Sequence, residues 1–173
     1  QNMISKRKSI VHRKGYLAIR QLLKKLNIDP ELPQYDQNGA PYLTDGRYIS
    51  ISHTKDKASV VIASRPVGID LEHYQNKIKI VAPRFLHKNE ISDPKICNDI
   101  KYLTQIWTAK EALYKIFRKK GIHFKNQIKV DKFDREKSNN GFGSIFYNGK
   151  IYEYSLHYRY FTDFCLTLAT TKI

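Results

Sequence analysis

The most constraining feature of this sequence is a change of hydrophobic period that occurs twice in the same order. Apolar residues recur every three or four positions over residues 9–26 and again over about 98–119, which is the spacing of amphipathic helices. Each stretch precedes segments rich in Val, Ile, Tyr and Phe between turn residues, a pattern typical of antiparallel strands. It predicts an α+β fold of two similar halves, each a small antiparallel sheet packed with a long helix.

The expected division is into an N-terminal half, residues 1–64, and a C-terminal half, residues 65–173. Shorter helices are predicted over 79–85 and from about Lys88. Residues 27–46 are rich in Pro, Asp, Gly and Asn, and they predict an irregular connection or a hairpin with turns near Gly39 and Gly46. The predicted strands are 47–52, 58–64, 67–72, 128–133, 144–146, 151–158 and 164–170.

The charge balance narrows the range of partners. The 173 residues include 31 Lys and Arg against 16 Asp and Glu, a formal net charge of +15. A surface of this kind attracts polyanions, whether nucleic acid, acidic membrane, phosphate-rich small molecules or an acidic protein. Charge alone does not choose among these partners, and a basic surface that serves only solubility is an alternative.

The cysteines and the apolar runs bear on the cellular compartment. Cys97 and Cys165 lack the spacing of a metal site and have apolar neighbours, so we expect two small buried thiols in a reducing cytoplasm. No apolar run reaches the roughly 18 residues of a membrane helix, and the N-terminal residues lack a hydrophobic signal core. We therefore expect a cytoplasmic protein that is neither secreted nor membrane-spanning, provided that the sequence begins at its natural start.

Two carboxylates stand two positions apart in a predicted strand. Asp70 and Glu72 point to the same face because side chains alternate along a strand. Carboxylates held side by side repel each other unless a cation or a proton lies between them. The alternative is that both simply belong to the solvent face of a strand end.

A second group lies on one face of the long predicted helix. Trp107, Glu111 and Lys115 are spaced four apart and stack along that face, while Lys110 projects elsewhere. Glu followed by Lys four positions later is also the favourable orientation of an ordinary helix ion pair, and Trp107 would then be a core anchor.

A third set of candidates is polar or basic. Ser52 and His53 end a predicted strand, and His53 could donate a hydrogen bond to a phosphate, although a histidine at a strand end is usually structural or solvated. Most charges in the basic N-terminal region would simply solvate a helix, with a few contacting a bound anion. The basic residues of this region are Lys6, Arg7, Lys8, Arg13, Lys14 and Arg20.

Taken together, these motifs favour a metal site. Asp70, Glu72 and Glu111 supply an oxygen-only set suited to Mg²⁺, which typically takes one or two carboxylates plus substrate phosphates and water. Because the chain has few acidic residues, the Lys and Arg side chains around such a site would be available to bind phosphates.

Four stretches, in this order and at about this spacing, resemble the 4′-phosphopantetheinyl transferases, specifically the larger monomeric type that activates surfactin synthetase and similar carrier-protein systems. They cover the middle of the chain, from about 39 to 117. They are GAPYL at 39–43, ISISHT at 49–54, VGIDLE at 67–72 and WTAKEALYK at 107–115.

The resemblance implies a set of site residues. Asp70, Glu72 and Glu111 would bind Mg²⁺, or Mn²⁺ as a substitute. Glu111, Lys115 and Asp70 would be catalytic, with Lys115 also contacting coenzyme A phosphate. The residues that would bind coenzyme A through its 3′-phosphate and other phosphates are Ser52, His53, Lys6, Arg7, Arg13 and Lys14.

The resemblance also implies that a pseudo-twofold axis relates the two halves, and it implies the activity and the partners. The 4′-phosphopantetheine group of coenzyme A, bound in a cleft between the two halves, would be transferred to a serine of an acidic apo carrier protein, with release of 3′,5′-bisphosphoadenosine. A monomer is expected, with no membrane partner and no role for nucleic acid.

Two departures from the family pattern stand out. Ala40 occupies the position where relatives commonly have Lys between Gly39 and Pro41, so a basic contact to the nucleotide is missing or supplied by another residue. Relatives also usually begin with an additional strand that this sequence lacks, so the N-terminal half is expected to be reduced or truncated.

Two other classes of protein share part of this pattern. A Mg²⁺-dependent nuclease also pairs a strand Asp with Glu and Lys, but its Glu and Lys normally flank a single residue on a strand. A basic nucleic-acid-binding module would explain the charge and leave the three carboxylates without a purpose, and the sequence matches no recognised nucleic-acid motif.

Overall fold

An antiparallel sheet with a long helix across one face makes up most of the C-terminal part of the protein. The computed structural model describes residues 9–91, 94–132 and 138–172. The helices are α1 (Ile10–Lys25), α2 (Lys77–Phe85), α3 (Ile100–Phe117) and the short α4 (Phe124–Gln127). The strands are β1 (Gln34–Tyr35), β2 (Pro41–Tyr42), β3 (Tyr48–His53), β4 (Ala58–Ala63), β5 (Val67–His73), β6 (Ile128–Val130), β7 (Asn140–Tyr147), β8 (Lys150–Tyr160) and β9 (Phe164–Thr171).

The large sheet contains, within the described residues, five antiparallel strands in the order β5-β9-β8-β7-β6. Its register places Asp70 opposite Thr167 and Glu72 opposite Cys165, so both acids lie on the edge strand β5. The face that carries Gly68 packs against α3. The fully buried side chains of α3 that form this core include Leu103, Ile106, Ala109, Ala112 and Leu113.

The N-terminal part has a smaller core of its own. Helix α1 begins after Ser9, whose hydroxyl oxygen accepts a hydrogen bond from the backbone N–H of His12 at 3.2 Å. Its buried Leu23 packs with Leu43 and with Ile49 of β3. Among the described residues β3 pairs only with β4, so this hairpin and the large sheet are separate.

Serine hydroxyls join the hairpin to the large sheet where no backbone ladder does. The backbone N–H of Ile69 donates to Oγ of Ser50 at 3.0 Å, and that of Leu71 donates to Oγ of Ser52 at 3.4 Å. Because buried backbone donors require partners, these hydroxyls satisfy the edge of β5 that faces β3. They also fix the position of β3 relative to the two acids of β5.

The structure confirms the α+β class, the two long helices and most of the strands. Where it differs, packing explains the difference. The strand predicted at 144–146 is the longer β7, which contains Gly141 and Gly143. Glycine is unfavourable in a strand, but a Cβ at Gly143 would lie 2.8 Å from a methyl carbon of Leu113 and 3.0 Å from the backbone oxygen of Lys129, so the packing of α3 on this strand favours glycine there.

Three further expectations need correction or qualification. The helix expected from Lys88 is a single 3₁₀ turn, Lys88–Glu90: the Glu90 side chain accepts the backbone N–H of His87 at the start of the turn, and its burial against Lys110 holds the segment in this place. Cys165 is a buried thiol, as expected, but Cys97 is exposed. The end of the predicted strand 128–133 lies partly outside the described residues.

The two parts of the chain differ in size in the described structure, with a hairpin and α1 on one side and a five-stranded sheet and α3 on the other. The pseudo-twofold relation and the boundary at residue 64 therefore stay predictions. In the portion of the chain that the structure covers, no helix has the length and apolarity needed to cross a membrane.

Gly68→Ala is expected to destabilise the fold strongly. The added Cβ would overlap the backbone oxygen of Ala112 and lie 2.8 Å from the backbone nitrogen of Ile116, and neither backbone atom can move without shifting α3. Overpacking of this kind costs about 3 kcal/mol. The free energy of unfolding, measured in urea, is the test.

Gly121→Ala is the matched control for this substitution. Gly121 has a positive φ of 76° and no atom near its added Cβ, so it reports backbone strain alone, about 1–2 kcal/mol. Equal losses in the two variants would contradict the close approach of β5 to α3.

Candidate active site

A cleft of about 270 Å³ opens between α3 and the N-terminal part of the chain. One wall is formed by residues 36–41 and 49–51. The facing wall is formed by Glu111, Tyr114 and Lys115 of α3, together with residues 118–120 just beyond it. Two of the residues predicted to be catalytic therefore line one cavity.

Asp70 is the point at which three of the predicted site residues meet. It is buried, with 7% of its surface exposed. Its Oδ1 accepts a hydrogen bond from the Ser52 hydroxyl at 2.7 Å and an ion-paired bond from Nζ of Lys115, also at 2.7 Å. The strand acid, the strand serine and the helix lysine, which are remote in sequence, thus form one connected group.

The ammonium group of Lys115 uses three acceptors at once. Besides Asp70, it donates to the backbone oxygen of Ile51 at 3.2 Å and to that of Ile69 at 3.1 Å. An ammonium group has three N–H donors, so these contacts account for all of them. Lys115 thereby ties α3 to both β3 and β5.

Glu111 lies one helical turn before Lys115 and is half-buried. Burial raises the pKa of Glu111 to about 7, with the negative charge of Asp70 adding to the shift, Lys115 opposing it and Glu72 adding a smaller part. The three predicted acids are therefore close enough to repel one another. Glu72 directs Oε1 to the backbone N–H of its neighbour His73 at 3.0 Å.

The acids match a hard cation in chemical type, but their side chains do not converge. Within 9–91, 94–132 and 138–172, no three His, Cys, Asp or Glu side chains are grouped so as to hold a metal ion. Carboxylate oxygens are nevertheless the donors that Mg²⁺ prefers, and mutual repulsion among them is what a bound cation relieves. The metal-ligand role of Asp70, Glu72 and Glu111 stays a prediction.

His53 lies at the end of β3, where the hairpin meets α1. Its ring is 5.9 Å from the ring of His12, in an edge-to-face arrangement. It also lies so close to α1 that a Cβ on Gly15 would be 2.6 Å from its ring. Exposed Arg13 and Lys14 are on the same helix, whereas Lys6 and Arg7 lie outside the described residues.

Arg118 is a cleft residue that the sequence reasoning missed. It caps α3 in the left-handed conformation, with φ of 58°. Its Nη2 donates to the backbone oxygen of Pro41 at 2.6 Å and to that of Ile49 at 3.0 Å. Arg118 therefore connects the two walls of the cleft beside Ala40, and no sequence signal distinguished it from the lysines that follow.

Lys110 and Glu90 form a second charge pair, fully enclosed in the core. Nζ of Lys110 lies 2.9 Å from Oε2 of Glu90, and the two side chains are 0% and 2% exposed. Nζ also donates to the backbone oxygens of Phe85 at 2.6 Å and Ile128 at 2.8 Å. The sequence did contain a sign that Lys110 is buried. Lys110 falls seven positions after Leu103, on the apolar stripe of α3.

Trp107 is a core anchor, which was the alternative to a role in the site. Its ring packs 5.1 Å from that of Phe85 and 5.6 Å from that of Phe124. On this helix, Trp107 and Lys110 thus build the core, while Glu111 and Lys115 line the cleft.

Comparison with known proteins adds the family. A family model for the 4′-phosphopantetheinyl transferase superfamily matches residues 66–169. The chain belongs to this superfamily. The matched residues include Asp70, Glu72, Glu111 and Lys115; Ser52 and His53 lie outside them, and Ser52 is linked to this group through its bond to Asp70.

A curated relative agrees with this assignment. The chain is 30% identical over 111 residues to the 4′-phosphopantetheinyl transferase gsp of Aneurinibacillus migulanus, a match that covers 61% of this chain and 47% of that protein. The match thus spans about half the length of the relative.

Lys110→Met is expected to lower the free energy of unfolding by about 3–5 kcal/mol, because it leaves the Glu90 carboxylate buried without its cation. Lys101→Met, on the exposed face of the same helix, is the matched control and should change stability by about 0.5 kcal/mol or less. Urea denaturation measures both. Equal stability of the two variants would show that the buried pair does not hold the core together.

Proposed function

We propose that this protein transfers the 4′-phosphopantetheine group from coenzyme A to a serine of an apo acyl or peptidyl carrier protein. The observation that carries the proposal is the bonded group of Ser52, Asp70 and Lys115 beside Glu111, at a cleft, in a member of this superfamily. The carrier serine oxygen would attack the β-phosphorus of coenzyme A. The phosphoanhydride bond would break, and 3′,5′-bisphosphoadenosine would leave with the displaced oxygen.

Lys115 is our candidate to contact the pyrophosphate. It opens to the cleft, and its side chain is 26% exposed. Because its three donors are occupied by protein oxygens, contact with a phosphate requires that one of these bonds be exchanged. The bond to Asp70 is the natural one, since an ammonium group attracts a phosphate and a carboxylate in the same way.

Asp70, Glu72 and Glu111 are our candidates to hold Mg²⁺. Oδ1 of Asp70 already accepts two bonds, so we expect Oδ2 to face the cation. When bound, Mg²⁺ would neutralise the charge that develops on the pyrophosphate during transfer. Ser52 would hold the Asp70 carboxylate in orientation, and Glu111, at the cleft wall, is our candidate to accept the proton of the carrier serine, directly or through water.

The 3′-phosphate of coenzyme A would bind at the His53 end of the hairpin. Lys14 of α1 and Lys55 and Lys57 of the turn after His53 line one cavity there, which supports an anion site. Arg13, Lys6 and Arg7 would add to the positive charge.

The net charge of +15 suits both coenzyme A and an acidic carrier protein, and it would accelerate the encounter with that carrier. A monomeric state and a cytoplasmic location remain our expectations.

Glu111→Gln is expected to lower the transfer rate at least 100-fold, because it removes the charge proposed both for the metal and for the serine proton. The wild type and the variant are each incubated with coenzyme A, Mg²⁺ and apo carrier proteins, and the phosphopantetheine added to the carrier is measured by mass spectrometry. Glu153→Gln, an exposed acid on β8, is the control and should keep full activity. Full activity in Glu111→Gln would refute the assigned site, and DNA cleavage without any transfer would favour the nuclease.

Removal of the metal gives a separate prediction. Chelation by EDTA should abolish transfer, and added Mg²⁺ should restore it. Binding of Mn²⁺ to the wild type, followed by electron paramagnetic resonance, should weaken at least tenfold in Asp70→Asn, since a charged ligand is lost. Unchanged Mn²⁺ affinity in that variant would place the metal elsewhere.

A further inference from the structure

His73, the last residue of β5, is a buried side chain that bridges two turns from distant parts of the chain. Its Nε2 lies 2.6 Å from Oδ1 of Asp56, in the turn between β3 and β4. Its Nδ1 lies 3.2 Å from the backbone oxygen of Asp163, in the turn between β8 and β9. The ring, in a residue only 8% exposed, is therefore oriented by an oxygen atom on each side.

Lys57 closes the same cluster. Its Nζ lies 3.3 Å from Oδ2 of Asp56 and 3.5 Å from Oδ2 of Asp163. It also lies 5.5 Å from the ring centre of Phe164, the strand partner of His73. An isolated pair of partly exposed charges contributes little, but a network closed around a buried ring restricts all of its members. We call Asp56, Lys57, His73 and Asp163 the His73 clamp.

The clamp lies between the two sets of residues that carry the proposed function. The turn that it holds begins at His53, at the proposed phosphate-binding end of the hairpin. The strand that it holds, β5, ends at His73, directly after Glu72, whose side chain accepts a hydrogen bond from the backbone N–H of His73. The clamp therefore sets the position of the phosphate-binding turn relative to the proposed metal ligands.

The hairpin needs such an attachment. A two-stranded hairpin is marginally stable by itself, and β3 and β4 pair only with each other among the described residues. Ser50 and Ser52 attach the body of β3 to β5. Beyond the end of β3, the contact of Asp56 with His73 attaches the turn to the end of β5.

We propose that His73, acting through Asp56 and Asp163, is a positioning residue that holds the turn of residues 53–58 in the place where it binds coenzyme A phosphate. This inference rests on the proposed function and deepens it. His73 contacts no reacting atom in this scheme, so its loss should weaken coenzyme A binding more than it slows the chemical step.

Asp56→Ala tests the clamp without disturbing the core, because this side chain is about half exposed. We expect the KM for coenzyme A to rise about tenfold, the effect of losing one hydrogen bond to a charged group, with kcat within twofold. His73→Phe should raise the KM at least as much, since it also removes the contact with the backbone oxygen of Asp163. The double variant should be little worse than His73→Phe, since both substitutions remove the same contact between Asp56 and His73. Asp56→Asn, which keeps the accepting oxygen, should recover most of the affinity.

Hydrogen exchange gives a readout that does not depend on activity. Backbone amides of residues 53–58 should exchange about tenfold faster in Asp56→Ala, and those of β7 and β8 should not change. Asp45→Ala, which removes an exposed ion pair with Arg47 in a different turn, is the matched control and should alter neither KM nor exchange in residues 53–58.

A KM within twofold of the wild type in both Asp56→Ala and His73→Phe would overturn the proposal, as would unchanged exchange of the turn. If the wild type transfers nothing to any carrier, the proposed function fails. The exchange measurement then decides by itself whether the clamp holds the turn.

Discussion

The candidate site depends on the three bonds made by the Lys115 ammonium group. The strands β3 and β5 belong to different sheets, and the carbonyl oxygens of Ile51 and Ile69 meet where no backbone ladder joins them. One cation with three donors satisfies both carbonyls and the Asp70 carboxylate together. The same contact therefore holds the two parts of the chain together and orients the acid proposed to bind the metal.

Two of the lysines on helix α3, Lys110 and Lys115, are five positions apart and have opposite tasks. Lys110 is fully enclosed and paired with Glu90, so its charge is neutralised within the protein. Lys115 is partly exposed at the cleft, beside acids whose repulsion contributes to the raised pKa of Glu111. Lys110 therefore contributes to the stability of the core. Lys115 lies beside carboxylates that repel one another, and a bound ligand or cation could relieve that repulsion.

Much of the fold could be predicted, because local periodicity reflects burial on one face. The helices α1 and α3 and the strands β3, β4 and β5 follow directly from their apolar spacing. Strand β7 was predicted too short because Gly143 is unfavourable in a strand. The close packing of Leu113 of α3 against Gly143 explains why glycine occurs there. The helix predicted from Lys88 is only one turn long. Glu90 is buried by its contact with Lys110, a residue distant in sequence, and local periodicity does not show such a contact.

The sequence by itself determined which functional side chains share a face: Asp70 with Glu72 on a strand of period two, and Glu111 with Lys115 one helical turn apart. The tertiary structure alone decided that Lys115 pairs with Asp70 and that His73 joins two distant turns. The physical reason is that periodicity fixes directions within one element. Contacts between elements depend on how the elements pack and in what register, which short-range patterns do not encode.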